Sequence, residues 1–134
     1  MKYCLDTCVI SDFVKGHKNV QAILKQHKPC DLAISAVTLM EIEYGLALNL
    51  QRKKKIQPII TVLLESISII PYQQQAAETT AQIRAQLKQQ GKPIGPYDIM
   101  IAGTALSQNL IMVTSNTKEF DRIIGLKLED WRKQ

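Results

Sequence analysis

With 134 residues, 46% of them hydrophobic, the chain has the apolar surface for one domain core, residues 1–134, and too little length for a second. Its net charge of +5 favours a polyanionic partner. Cys4, Cys8 and Cys30 are odd in number and follow no signal-peptide pattern, which argues against a secreted disulfide framework and leads us to expect a cytoplasmic protein. No membrane association is expected: no apolar stretch approaches the roughly 18 to 20 residues of a span, because Leu50 is followed at once by Gln51, Arg52, Lys53, Lys54 and Lys55.

In chain order, Met1 to Leu5 reads as an apolar strand, ended by Asp6 just before helically spaced apolar residues from Thr7 to Lys15, with Gly16 closing the helix. Asn19 to Lys28 repeats the amphipathic pattern until Pro29 stops it, and Leu32 to Ile34 forms a second strand. Ser35 is a natural cap for a long helix to about Leu50. A further helix is expected over Lys55 to Glu65, with Pro58 in its first turn, and β-branched Ile67 to Ile70 gives a third strand. Gln74 to Gln89 and Pro96 to Ser107 are helices, and Leu110 to Val113 is a strand. A short helix near Thr117 to Arg122 and a last strand at Leu126 to Leu128 complete the series. Strands separated by helices imply a three-layer α/β/α domain with a central parallel sheet. In such sheets ligands sit beyond the carboxyl ends of the strands.

That edge is where the acids fall. Asp6 directly follows the first strand, and Glu41 lies in the helix after the second, with Val37 and Gly45 a turn to either side, so a buried face is expected for it. Asp98 stands in the first turn of a helix that runs back from the same rim, while Thr114, Ser115, Asn116 and Glu119 follow the strand ending at Val113. Each has a purely structural alternative. Asp6 can cap the helix from Thr7; Thr38 with Glu41, and Asn116 with Glu119, have capping-box spacing; Asp98 can complement a helix dipole. Taken together, four carboxylates at one rim repel one another unless a cation sits among them.

Oxygen ligands without a His or Cys cluster indicate a hard cation, Mg²⁺ or Mn²⁺, which holds several waters and one or two carboxylates. Such an ion acidifies water and stabilises charge on a phosphoryl oxygen, the chemistry of phosphodiester hydrolysis. Arg52 to Lys55, with Lys88 and Lys92, are candidate contacts for the polyanion, although a charge run is as often a solvated face. Zinc is not indicated: Cys4, Cys8, His17 and His27 fit no zinc spacing and read as core residues. With 5% aromatic residues, base-stacking platforms are scarce, and Trp131 is expected to anchor the C-terminus by packing.

Four segments carry a family resemblance: Leu5-Asp6-Thr7; Ser35 to Glu41 with Gly45; Gly91 to Asp98 with Ile101-Ala102-Gly103; and Val113 to Phe120. In this order and at these intervals the sequence closely resembles PIN-domain toxins of the VapC type, the ribonuclease half of type II toxin–antitoxin pairs. The resemblance implies that Asp6, Glu41, Asp98 and Glu119 form an acidic quartet, with Asp6 and Asp98 the principal Mg²⁺ ligands, supported by Asn116 and a hydroxyl at Thr114 or Ser115. It also implies cleavage of RNA, with the anticodon region of initiator tRNA preferred, a homodimer, and inhibition within a hetero-oligomer by a VapB-type antitoxin that alone contacts operator DNA. The sequence departs from the family pattern at Cys8, where an asparagine is common, and at Glu119, where the family often has aspartate. Two rivals remain: a phosphatase with Asp6 as nucleophile, which lacks the second acid two residues on, and a non-catalytic nucleic-acid-binding or assembly module.

Overall fold

The computed structural model describes residues 1–133; Gln134, the last residue of the expected domain, lies outside them. The strands are β1 (Tyr3–Leu5), β2 (Leu32–Ser35), β3 (Ser68–Ile70), β4 (Ile111–Val113) and β5 (Leu128–Glu129). The helices are α1 (Thr7–Lys15), α2 (Lys18–Gln26), α3 (Ala36–Leu48), α4 (Leu50–Ser66), α5 (Gln74–Gln89), α6 (Pro96–Ser107) and α7 (Thr117–Phe120), with a 3-10 turn at Pro29–Asp31. The five strands form one sheet in the order β3-β2-β1-β4-β5, every pairing parallel.

Strand alternation sends side chains to two separate cores. Tyr3, Leu5, Leu32, Ile34 and Val113 face one side and pack with α1, α2, α3 and α4 through Val9, Ile10, Val20, Leu24, Ile42, Leu46, Ile60 and Leu63. Cys4, Ala33 and Met112 face the other, against Ile83 and Leu87 of α5, Ile101, Ala102 and Ala105 of α6, and Phe120 of α7. The expected three-layer α/β/α architecture is therefore present. The central strands β1, β2 and β4 are short and largely buried from both sides, which is why they read as apolar runs with little polar alternation.

Two local features hold the layers in place. Gly16 takes φ +86° at the end of α1, a left-handed cap that lets the chain turn directly into α2. At the crossing of α5 and α6, a Cβ on Gly103 would overlap the Thr80 side chain, so only glycine permits this approach.

The elements differ from expectation chiefly around residue 50. One helix ends at Leu48 and the next begins at Leu50, because Asn49 both ends α3 and caps α4, its Oδ1 accepting from the Arg52 N–H at 3.1 Å. Pro58 is thus inside α4 and not in its first turn. Burial of Ile60 and Leu63 carries the helix through the missing donor. The last strand, Leu128–Glu129, begins two residues and ends one residue later than its apolar pattern suggested, in register with Met112 and Val113. Trp131 is buried as expected, stacked on His27 with ring centroids 5.2 Å apart and edge-on to Tyr3 at 5.5 Å.

Candidate active site

The strand order selects the place. The chain steps outward through β1, β2 and β3 and then returns to lay β4 on the opposite flank of β1, so the order reverses between β1 and β4. Connections leaving those two strands diverge and open a crevice at their carboxyl ends. Asp6 leaves β1 there and Thr114 leaves β4; the Asp6 N–H still donates to the Val113 carbonyl at 2.9 Å.

From that junction a continuous string of hydrogen bonds runs through three of the four expected acids. The Thr7 hydroxyl donates to Glu41 Oε1 at 2.6 Å, and the Thr7 N–H donates to Asp6 Oδ1 at 2.8 Å. Asp6 Oδ2 accepts from the Thr114 hydroxyl at 2.9 Å, whose oxygen in turn accepts from the Asn116 N–H at 3.0 Å. Asn116 Nδ2 closes the series on Glu119 Oε2 at 2.8 Å. Five elements, α1, α3, α7 and the connections after β1 and β4, are tied at one rim by neutral donors.

Asp98, half-buried in the first turn of α6, is joined to the set by its charge. Burial first, then repulsion from Asp6, Glu119 and Glu41, pushes its carboxyl up to about 6. Asp6, 6% exposed, is also raised by burial, against the pull of Thr114, Thr7 and Cys8. Lys118 adjoins Glu119 in sequence, yet the one ion pair among the described residues is Arg132 with Asp12. Among the described residues the rim thus concentrates negative charge with no ion pair to balance it.

The donor set suits a hard divalent cation: carboxylate and hydroxyl oxygens, mutually repelling, at a water-accessible edge. Among the described residues no three His, Cys, Asp or Glu side chains form a ready-made metal cage. A hard divalent cation needs only one or two protein carboxylates, with waters filling its other positions.

The family described as PIN domain matches residues 3–126. The tRNA(fMet)-specific endonuclease VapC of Shigella flexneri is 42% identical over 134 residues, covering 98% of each chain. The chain is a PIN domain of the VapC type. Its counterpart of the same name in Salmonella typhimurium is 38% identical, again over 98% of both chains. Among solved structures, DNA-bound VapBC from Salmonella typhimurium matches with a TM-score of 0.90 at 36% identity, over 98% of each chain. VapBC2 from Rickettsia felis, bound to a promoter DNA fragment, matches at 0.89 and 30% identity, over 98% of this chain and 99% of that one.

The structure places all five site residues expected from the sequence, Asp6, Glu41, Asp98, Asn116 and Glu119, in this one region of the PIN domain, and it corrects several structural alternatives. Asp6 does cap α1, but with one oxygen only, so capping and site membership coexist. Thr38 caps nothing: Ser35 Oγ accepts its N–H at 3.0 Å and is the cap of α3. Asn116 meets Glu119 side chain to side chain and forms no side-chain cap on α7. Glu41 is half-buried, with Val37 buried but Gly45 exposed, so its face is the boundary of the core. Cys4 is a core residue as expected, its thiol pushed up to about 12 by burial. Cys8 is not: half-buried, it donates to Asp6 Oδ2 at 3.6 Å and accepts from the Ser115 hydroxyl at 3.5 Å. His17 caps α2 through Nδ1, and neither histidine is fully buried.

One neighbour went unread in the sequence. Thr7 bonds two acids at once, and its only signal was a hydroxyl directly after the strand-ending aspartate. Of the basic run, Arg52 lines a groove of about 130 Å³ shared with Thr7, Ser11 and Glu41, a placement that depends on where α4 begins.

Proposed function

We propose that this PIN domain, residues 1–134 acting as one unit, is a divalent-metal-dependent endoribonuclease and the toxin of a type II toxin–antitoxin pair. The observation that carries the reading is the hydrogen-bonded string from Glu41 to Glu119 with an uncompensated Asp98 beside it. Asp6 and Asp98 are the ligands, and Mg²⁺, or Mn²⁺ in its place, is the ion that fits their oxygens. When bound it supplies charge stabilisation at the phosphoryl oxygens and acidifies water.

The chain's own residues do the rest. Both Asp6 oxygens already accept hydrogen bonds, which suits a fixed ligand better than a nucleophile and weighs against the phosphatase reading. Glu41 and Glu119 complete the acidic pocket and orient the attacking water, Glu119 less directly because Asn116 holds one of its oxygens. Asn116 and Thr114 lock the connection after β4 against Asp6. Arg52, on the groove that opens beside Glu41, is placed to meet a phosphate of the substrate.

The preferred substrate is tRNA, with the anticodon region of initiator tRNA first, and the site of action is the cytoplasm. Consistent with that, no helix among the described residues is long and apolar enough to cross a membrane. The partner is a VapB-type antitoxin whose arginine would answer the unbalanced acids; the assembly contains a homodimer of this chain and reaches operator DNA through the antitoxin. The test is incubation of purified protein with total tRNA, with Mg²⁺ or with chelator. Discrete cleavage only with Mg²⁺, abolished in Asp6→Asn, is the expected result; full activity in that variant overturns the assignment.

A further inference from the structure

Glu41 is reached by a single side-chain hydrogen bond among the described residues, and Thr7 makes it, at 2.6 Å. The same residue's N–H holds Asp6 Oδ1 at 2.8 Å. Two carboxylates from different elements are therefore registered by one residue: Asp6 by its backbone, Glu41 by its hydroxyl. Behind Thr7 stands a second layer, with Thr38 Oγ1 3.5 Å from its hydroxyl and Ser35 Oγ 3.3 Å from Thr38 Oγ1. Ser35 and Thr38 are fully buried, so this backing is rigid. Glu41, half-buried on a long flexible stem, has no comparable support of its own. Its second oxygen, Oε2, accepts no side-chain hydrogen bond among the described residues.

We infer that Thr7 is a positioning residue: its hydroxyl fixes Glu41 against Asp6 and leaves Oε2 for the reacting water or the ion. This rests on the ribonuclease reading of the acidic rim. A glutamate free to rotate by an ångström or more loses the alignment that the chemical step requires, while RNA binding through distant phosphate contacts is untouched.

The experiment compares Thr7→Val, Thr7→Ser, Glu41→Ala and the double variant Thr7→Val/Glu41→Ala in RNA cleavage, Mn²⁺ calorimetry and thermal melts. Every variant at position 7 retains the N–H that serves Asp6. Thr7→Val should lower kcat by about 10- to 100-fold with KM within about twofold. Thr7→Ser should return the rate to within about threefold of the parent. The double variant should cut no more slowly than Glu41→Ala alone, since Thr7 acts only through Glu41. Mn²⁺ affinity, measured without RNA, should fall no further in the double variant than in Glu41→Ala alone. If Val disturbs the first turn of α1 and the melt falls, Thr7→Ala removes the same hydroxyl without the branched side chain. A Thr7→Val or Thr7→Ala enzyme at the parent rate, or losses that multiply in the double variant, overturns the inference and leaves the ribonuclease reading intact. Full activity in both Asp6→Asn and Glu41→Ala overturns both.

Discussion

Two aspartates bracket most of α1, and they are equally hidden: Asp6 is 6% exposed and Asp12 is 7%. Their chemistry is opposite. Asp12 meets the Arg132 guanidinium in a two-point contact, at 2.6 Å to Oδ2 and 2.7 Å to Oδ1, which holds its carboxyl below the ordinary range. Asp6 has a backbone N–H, a hydroxyl and a thiol as donors, none charged, and is raised. A structural acid carries its counter-ion within the fold, whereas the acids of the rim keep their charge for something the chain does not supply. Burying unbalanced carboxylates costs stability, and a fold tolerates it where function uses it.

The largest expected effect is on the unbalanced side. Asp98→Asn should reduce RNA cleavage by about a thousandfold or more, because on the proposed reading it removes one of the two carboxylates that would hold the ion. The same substitution should leave the ion-free protein as stable as its parent or slightly more so in urea denaturation. A variant that lost both activity and fold would show that Asp98 is structural and erase the contrast with Asp12.

Next in size is the balanced side. Arg132→Ala leaves Asp12 buried without its partner and should cost about 1 to 2 kcal/mol in urea denaturation, less than a fully buried pair because the Arg132 side chain is 46% exposed. Cleavage per folded molecule should be unchanged. A drop in activity without a drop in stability would tie this clasp to the site.

The pH dependence separates Asp98 from Asp12 by sign. With Asp98 at about 6 in the fold against 3.8 as the ordinary value, the ion-free folded protein holds more protons between those limits than the unfolded chain. Stability should therefore fall as pH rises through that window, by about 1 kcal/mol once partial exposure of Asp98 is discounted. Asp12 acts the other way: its contribution is present above 3.8 and is lost as pH falls through its lowered value. Urea midpoints from pH 4 to 7 should lose the upper slope in Asp98→Asn, and saturating Mg²⁺ at pH 7 should raise the midpoint of the parent but not of that variant. Identical profiles for parent and variant would remove the charge argument.

The smallest effect belongs to Cys8. Its thiol is pushed up by burial and by Asp6, so it stays neutral and donates only weakly. Cys8→Ala should change the cleavage rate by less than about threefold. A large loss would mean that the thiol orients Asp6 and that this departure from the family pattern matters.

Sequence pattern alone determined the parts that depend on near neighbours. Strands end where a polar residue follows an apolar run, as Asp6 does after Leu5, and α5 and α6 begin and stop at the residues their propensities and prolines mark, Gln74 to Gln89 and Pro96 to Ser107. The parallel order of elements then carried Asp6, Glu41, Asp98 and Glu119 to one edge. What it left open depends on distant segments meeting: Asn49 serving two helices, Pro58 held within α4 by burial of Ile60 and Leu63, and Thr7 joined to Glu41 across 34 positions of sequence. The choice of which aspartate is neutralised was also tertiary. Arg132 lies 120 residues from Asp12, and only the packing of the C-terminal segment onto α1 brings a charge to one acid and withholds it from the other. Local periodicity reports which way a residue faces; a hydrogen bond or an ion pair needs a partner, and the partner's position is a property of the whole fold.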